Sequence, residues 1–136
     1  MDDHRAVGSV ALVADDSRVF RACTAELLRK RGFEVYEVAT GTEALDAARL
    51  RRPELLVLDA LMPVLSGFDV LGKLREELPD YQPTVFLVTG VYKGHRWQGE
   101  SRQRYGVHEY LEKPIEDATF LAAVDRHFPS ISDPHG

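Results

Sequence analysis

The stretch LLVLDALMPV, residues 55–64, decides how this chain is read. Four apolar residues run straight into a carboxylate, Asp59, and the chain then returns to apolar residues and a proline. A short, continuous apolar run closed by turn-type residues is the mark of a strand buried on both faces. A charge at the edge of such a strand loses hydration, so it needs a cation, hydrogen bonds or a chemical task. Asp59 alone also reads as an ordinary aspartate where a strand ends. The rest of the chain has to decide.

Upstream, VALVA at residues 10–14 is a second apolar run, and it too ends in acids, Asp15-Asp16, followed by Ser17. Val19, Phe20, Cys23, Leu27 and Leu28 then recur at helical spacing, and Gly32 behind the basic RKR is a stop signal. Residues 34–39 alternate as a strand, and Thr40 with Glu43 opens a helix that Pro53 breaks. Gly67 precedes a helix with Leu71, Leu74 and Leu78 on one face, and residues 84–88 form a strand closing on Thr89-Gly90. Residues 109–112 read as the last strand, ahead of Lys113-Pro114. Ile115, Phe120, Leu121, Val124 and Phe128 then mark the last helix. Between them, Trp97, Ser101 and Tyr105 give only a thin apolar line, interrupted by Gly99, so the helix expected over 97–105 is marginal.

Strand and helix alternate five times, which predicts an α/β fold with a parallel sheet covered on both faces. At 136 residues the chain is one domain. We expect it over residues 9–128, with flexible ends at 1–8 and 129–136. A content of 44% hydrophobic and 29% charged residues excludes a wholly disordered or collagen-like chain. A formal charge of -5 argues against nonspecific nucleic-acid binding. Cys23 is the single cysteine, so it forms no internal disulfide and reads as a small buried apolar side chain. No signal peptide and no bilayer-length apolar run is visible, and a cytoplasmic location is expected.

Ligands of such sheets gather at the carboxyl ends of the strands. There the chain places Asp15, Asp16, Asp59, Thr89 and Lys113. Carboxylates brought to one edge repel, each close pair by roughly 4 kcal/mol at 4 Å and an effective dielectric near 20. An oxygen-only set of this kind suits a hard divalent cation, Mg2+ where phosphate is involved. With an ammonium and a hydroxyl added, phosphoryl oxygens can be held while a carboxylate attacks phosphorus. Singly, each group has a plainer reading: Asp15-Asp16-Ser17 as a helix cap, Lys113 as a solvated lysine, Thr89 as a strand-end hydroxyl.

Together, Asp15-Asp16 after the first strand, Asp59 with Met62-Pro63 and Gly67, Thr89 after the fourth strand and Lys113-Pro114 after the fifth resemble the receiver domain of two-component response regulators. The resemblance runs from about residue 10 to 128 and implies a doubly wound, flavodoxin-like sheet in the order 2-1-3-4-5. It implies phosphoryl transfer from a histidine kinase or phosphotransfer protein to Asp59. Mg2+ would be held by Asp16, Asp59, the Leu61 carbonyl and, through water, Asp15. Lys113, Thr89 and the N–H groups of Ala60 and Gly90 would engage phosphoryl oxygens, and Tyr110 would be the aromatic switch that follows Thr89. Output would run through the face of the fourth helix, fifth strand and fifth helix to a downstream protein. A homodimer there is open, and neither nucleic acid nor membrane is an expected partner. No substrate turnover is expected. A haloacid dehalogenase-type phosphatase would carry an acid where Leu61 stands, and a flavodoxin-like cofactor binder would not place Asp15-Asp16 in its phosphate loop. A docking module on the same fold that no longer takes phosphate is the remaining alternative.

Overall fold

A computed structural model describes residues 8–90 and 105–129. In chain order these form β1 (Val10–Ala14), α1 (Arg18–Lys30), β2 (Glu34–Val38), α2 (Gly41–Arg51), β3 (Leu55–Asp59), α3 (Gly67–Glu77), β4 (Thr84–Thr89), β5 (Glu109–Glu112) and α4 (Asp117–His127). The helix expected over 97–105 lies outside the described residues except for Tyr105. All strand pairs are parallel and the order is β2-β1-β3-β4-β5, as the resemblance implied.

The period-two geometry of strands divides the core into two layers. Leu12 and Ala14 of β1, Leu56 and Leu58 of β3, and Val85 and Leu87 of β4 pack under Ala44, Ala48, Val70, Leu71 and Leu74 of α2 and α3. Ala11 and Val13, Leu55 and Val57, and Phe86 and Val88 face the other way, under Ala25 and Leu28 of α1 and Phe120, Ala123 and Val124 of α4. All five positions of β3 are buried, so the four ahead of Asp59 must be apolar. That explains why its sequence runs without alternation until the acid.

The helix starts are fixed by side chains. Ser17 accepts from the Phe20 N–H, Thr40 from the Glu43 N–H, and Ser66 forms a reciprocal capping box with Asp69. Glu43 does not complete the box at Thr40, since its carboxylate accepts from the Thr40 hydroxyl instead. Two glycines are dictated by close approach. A Cβ on Gly67 would overlap the backbone carbonyl of Asp59, and one on Gly41 would overlap that of Leu65. His108, which showed no ligand partner in the sequence, accepts at Nδ1 from the Val85 N–H, 3.0 Å away.

One helix face departs from expectation. In α1 the buried residues are Thr24, Ala25 and Leu28, whereas Val19 and Cys23 are exposed and Phe20 is half-buried. The stripe read through Val19 and Cys23 is rotated, because the small Thr24 and Ala25 let the helix lie close to the sheet. Cys23 is thus a surface thiol and not a core residue. Among the described residues no helix is long and apolar enough to cross a membrane.

Candidate functional site

The two-residue strand period also builds the site. Ala11 and Val13 lead to Asp15, Leu55 and Val57 lead to Asp59, and Leu111 leads to Lys113, so all three polar groups continue rows that face α1 and α4. The sheet ladder carries on past the strand ends and anchors them. The Asp15 N–H donates to the Val38 carbonyl at 3.1 Å, and the Lys113 N–H donates to the Thr89 carbonyl at 2.8 Å. Thr89 and Tyr110 belong to the opposite rows, with Val85 and Leu87 and with the α2–α3 layer. Both are buried.

Asp15, Asp16 and Asp59 each present a carboxylate oxygen within 4.8 Å of the others. Asp15 and Asp59 are buried, while Asp16 is exposed at the rim. Lys113 Nζ donates to Asp15 Oδ2 at 2.7 Å and lies 3.8 Å from Asp59 Oδ2. The second Asp15 oxygen accepts from the Ser17 N–H at 2.8 Å, and the Arg21 guanidinium donates to the Asp15 backbone carbonyl at 2.7 Å. Asp59 Oδ1 accepts from the Leu61 N–H at 3.1 Å.

The Ala60 N–H, expected to serve phosphoryl oxygens, donates instead to the Val88 carbonyl at 2.8 Å, because the β3–β4 ladder continues one residue beyond β3. Leu61, not Ala60, supplies the N–H that reaches the Asp59 carboxylate. Gly90 is exposed, and a Cβ there would sit 3.8 Å from Lys113 Cβ, an ordinary contact. A second group was missed in the sequence: the Phe20 ring lies under Lys113, its centroid 4.5 Å from Nζ.

Electrostatically the pocket is under-neutralised. Among the described residues three carboxylates face one ammonium, leaving an excess of two negative charges. Burial, and after it the adjacent Asp15 carboxylate, push the Asp59 carboxyl up from 3.8 to about 6, with Asp16 adding to the rise. The Leu61 N–H and Lys113 oppose that rise without cancelling it. An excess of two negative charges, presented by hard oxygens alone, fits a divalent cation such as Mg2+.

Fold and site together define an open, doubly wound α/β protein with an acidic pocket at the carboxyl edge of its sheet. The sequence matches the response regulator receiver domain over residues 11–125, and the chain belongs to that family. It is 43% identical over 104 residues to the probable transcriptional regulatory protein TcrX of Mycobacterium tuberculosis, covering 76% of this chain and 43% of TcrX. It is 27% identical over 114 residues to PilH of Pseudomonas aeruginosa, covering 84% of this chain and 93% of PilH. The chain thus spans less than half of TcrX but nearly all of PilH. Among solved structures, chemotaxis response regulator CheY4 of Vibrio cholerae superposes with a TM-score of 0.77 at 26% identity, covering 87% of this chain and 97% of that one. The protein is a response-regulator receiver domain, consistent with two-component signalling.

Proposed function

We propose that Asp59 is a phosphoacceptor that takes a phosphoryl group from a phosphohistidine on a sensor kinase or phosphotransfer protein. The observation that carries this reading is the convergence of Asp15, Asp16, Asp59 and Lys113 on one pocket at the sheet's carboxyl edge. An Asp59 carboxylate oxygen forms the new bond to phosphorus as the bond from phosphorus to the imidazole nitrogen breaks, and the imidazole leaves with its electron pair. Asp59 attacks only as the anion, so the group must be deprotonated and still rigidly aimed. The Leu61 N–H and the β3–β4 register favour both.

Asp15, Asp16, Asp59 and the Leu61 carbonyl would hold Mg2+, which when bound supplies charge neutralisation for the transferring oxygens. Lys113 supplies a second, mobile positive charge, and Thr89 a hydroxyl for a phosphoryl oxygen. Thr89 and Tyr110 occupy the same face of the sheet, which supports a readout in which a move of Thr89 is felt at Tyr110. From there the change would reach β5 and α4, where a downstream protein or a second copy would dock. Leu61 stands where a turnover phosphatase would need an acid, which favours a protein that is modified over one that processes a substrate.

The test is incubation with Mg2+ and acetyl phosphate followed by intact mass measurement. One phosphoryl group should add to the wild type and none to Asp59→Asn. Addition to both proteins, or to neither, would remove Asp59 from this role.

A further inference from the structure

We propose that Phe20 is a positioning residue for Lys113, its ring face holding the ammonium beside Asp59 when Asp15 is drawn toward a cation. The consequence for phosphorylation rests on the phosphoacceptor reading above; the contact itself does not.

Lys113 Nζ lies 4.5 Å from the Phe20 ring centroid, well within the range at which an aromatic quadrupole attracts a cation. The ring is fixed by the same turn that builds the acid pocket. The Phe20 N–H donates to Ser17 Oγ at 3.2 Å, and the Ser17 N–H donates to Asp15 Oδ1 at 2.8 Å. Phe20 is half-buried and packs against the α1–α4 layer of the core. Among the described residues three groups therefore face the ammonium: Asp15 at 2.7 Å, Asp59 at 3.8 Å and the ring.

Only one of the three is indifferent to a metal. A divalent ion held by Asp15 and Asp59 would take up the charge that holds Lys113 and would repel the ammonium. The lysine side chain is 26% exposed, so water offers it an alternative. An aromatic face attracts an ammonium without ligating a hard cation, and leucine would fill the same volume without that attraction.

Phe20→Leu and Phe20→Tyr separate the ring's attraction from its bulk. In Mg2+ and without a phosphodonor, the Lys113 ε-methylene resonances should be shifted upfield by the ring in the wild type and Phe20→Tyr, and should return toward free lysine in Phe20→Leu. With phosphoramidate as donor, Phe20→Leu should slow modification of Asp59 about 3- to 10-fold, and Phe20→Tyr less than about twofold. Mg2+ affinity should be the same in all three.

Lys113 resonances that do not respond to Phe20→Leu, or equal slowing by the two variants, would overturn the proposal. Should Phe20→Leu fail to fold, the wild-type spectrum decides: free-lysine shifts in Mg2+ would overturn it as well. A wild type that phosphoramidate leaves unmodified would defeat the phosphoacceptor reading and leave the resonance test of the contact standing.

Discussion

Asp59 is held in a form that is costly for the fold and useful for the chemistry. Burial and then the Asp15 carboxylate push its carboxyl up from 3.8 to about 6, so the native state binds more protons between those values. The sign follows: with the folded value raised, stability of the metal-free protein falls as pH climbs through that window, and the penalty is complete above it. It amounts to about 3 kcal/mol. Asp59→Asn should therefore leave urea stability nearly unchanged at pH 4 and raise it by up to about 3 kcal/mol at pH 7.5 in EDTA. Equal effects at both pH values would show that the charge is not the cause. A few residues on, Val64 is a β-branched residue at φ +69 and is 99% exposed. A left-handed backbone is hindered by its branched side chain, and nothing packs on that side chain in return. Val64→Asn should stabilise the protein by about 1 kcal/mol in the same urea measurement.

Elements place these residues through contacts of very different tolerance. The start of α3 rests against the end of β3 at Gly67, where any Cβ would meet the Asp59 carbonyl and push helix and strand apart. Gly67→Ala should cost about 3 kcal/mol in denaturant unfolding and also slow modification of Asp59, because the displaced backbone carries that carboxylate. Gly90→Ala, with room for its methyl beside Lys113, should stay within about 0.5 kcal/mol of the wild type. Such differences explain what could be read beforehand. β1 and β3 were plain because a strand buried on both faces must be apolar throughout, and the acids ending both runs marked the site. The α1 face was not, since Val19 and Cys23 share a helical spacing with the half-buried Phe20 and Leu27, while the contact surface is made by the small Thr24 and Ala25. The Ala60 N–H was expected at the phosphoryl site, and the Leu61 N–H not foreseen there, for a related reason. How far a ladder runs past a strand end depends on the neighbouring strand, here on Val88 of β4. Phe20 was counted as a core residue because its partner, Lys113, is distant in sequence and meets it only through the sheet order.

At the scale of the molecule, the sheet order makes the pocket a joint between distant parts of the chain. β1 and β3 are adjacent, so Asp15 and Asp59 face one another across neighbouring strands, and Lys113 arrives from the far edge to pair with Asp15. Mutual repulsion of the acids therefore acts on the packing of the whole sheet, not on one loop. A divalent cation that neutralises them would bind the folded chain, where the three carboxylates converge, and would have no equivalent site in the unfolded one. Stabilisation then follows mass action, reaching about 2.7 kcal/mol when the free ion is at about 100 times its dissociation constant. Thermal unfolding at pH 7.5 should shift upward by several degrees between EDTA and saturating Mg2+, and the shift should grow with the logarithm of ion concentration. Asp16→Asn should abolish most of the shift while changing the EDTA midpoint little, because Asp16 is exposed at the rim. A midpoint that responds to Mg2+ equally in wild type and Asp16→Asn would show that the ion acts by general screening, not by occupying this pocket.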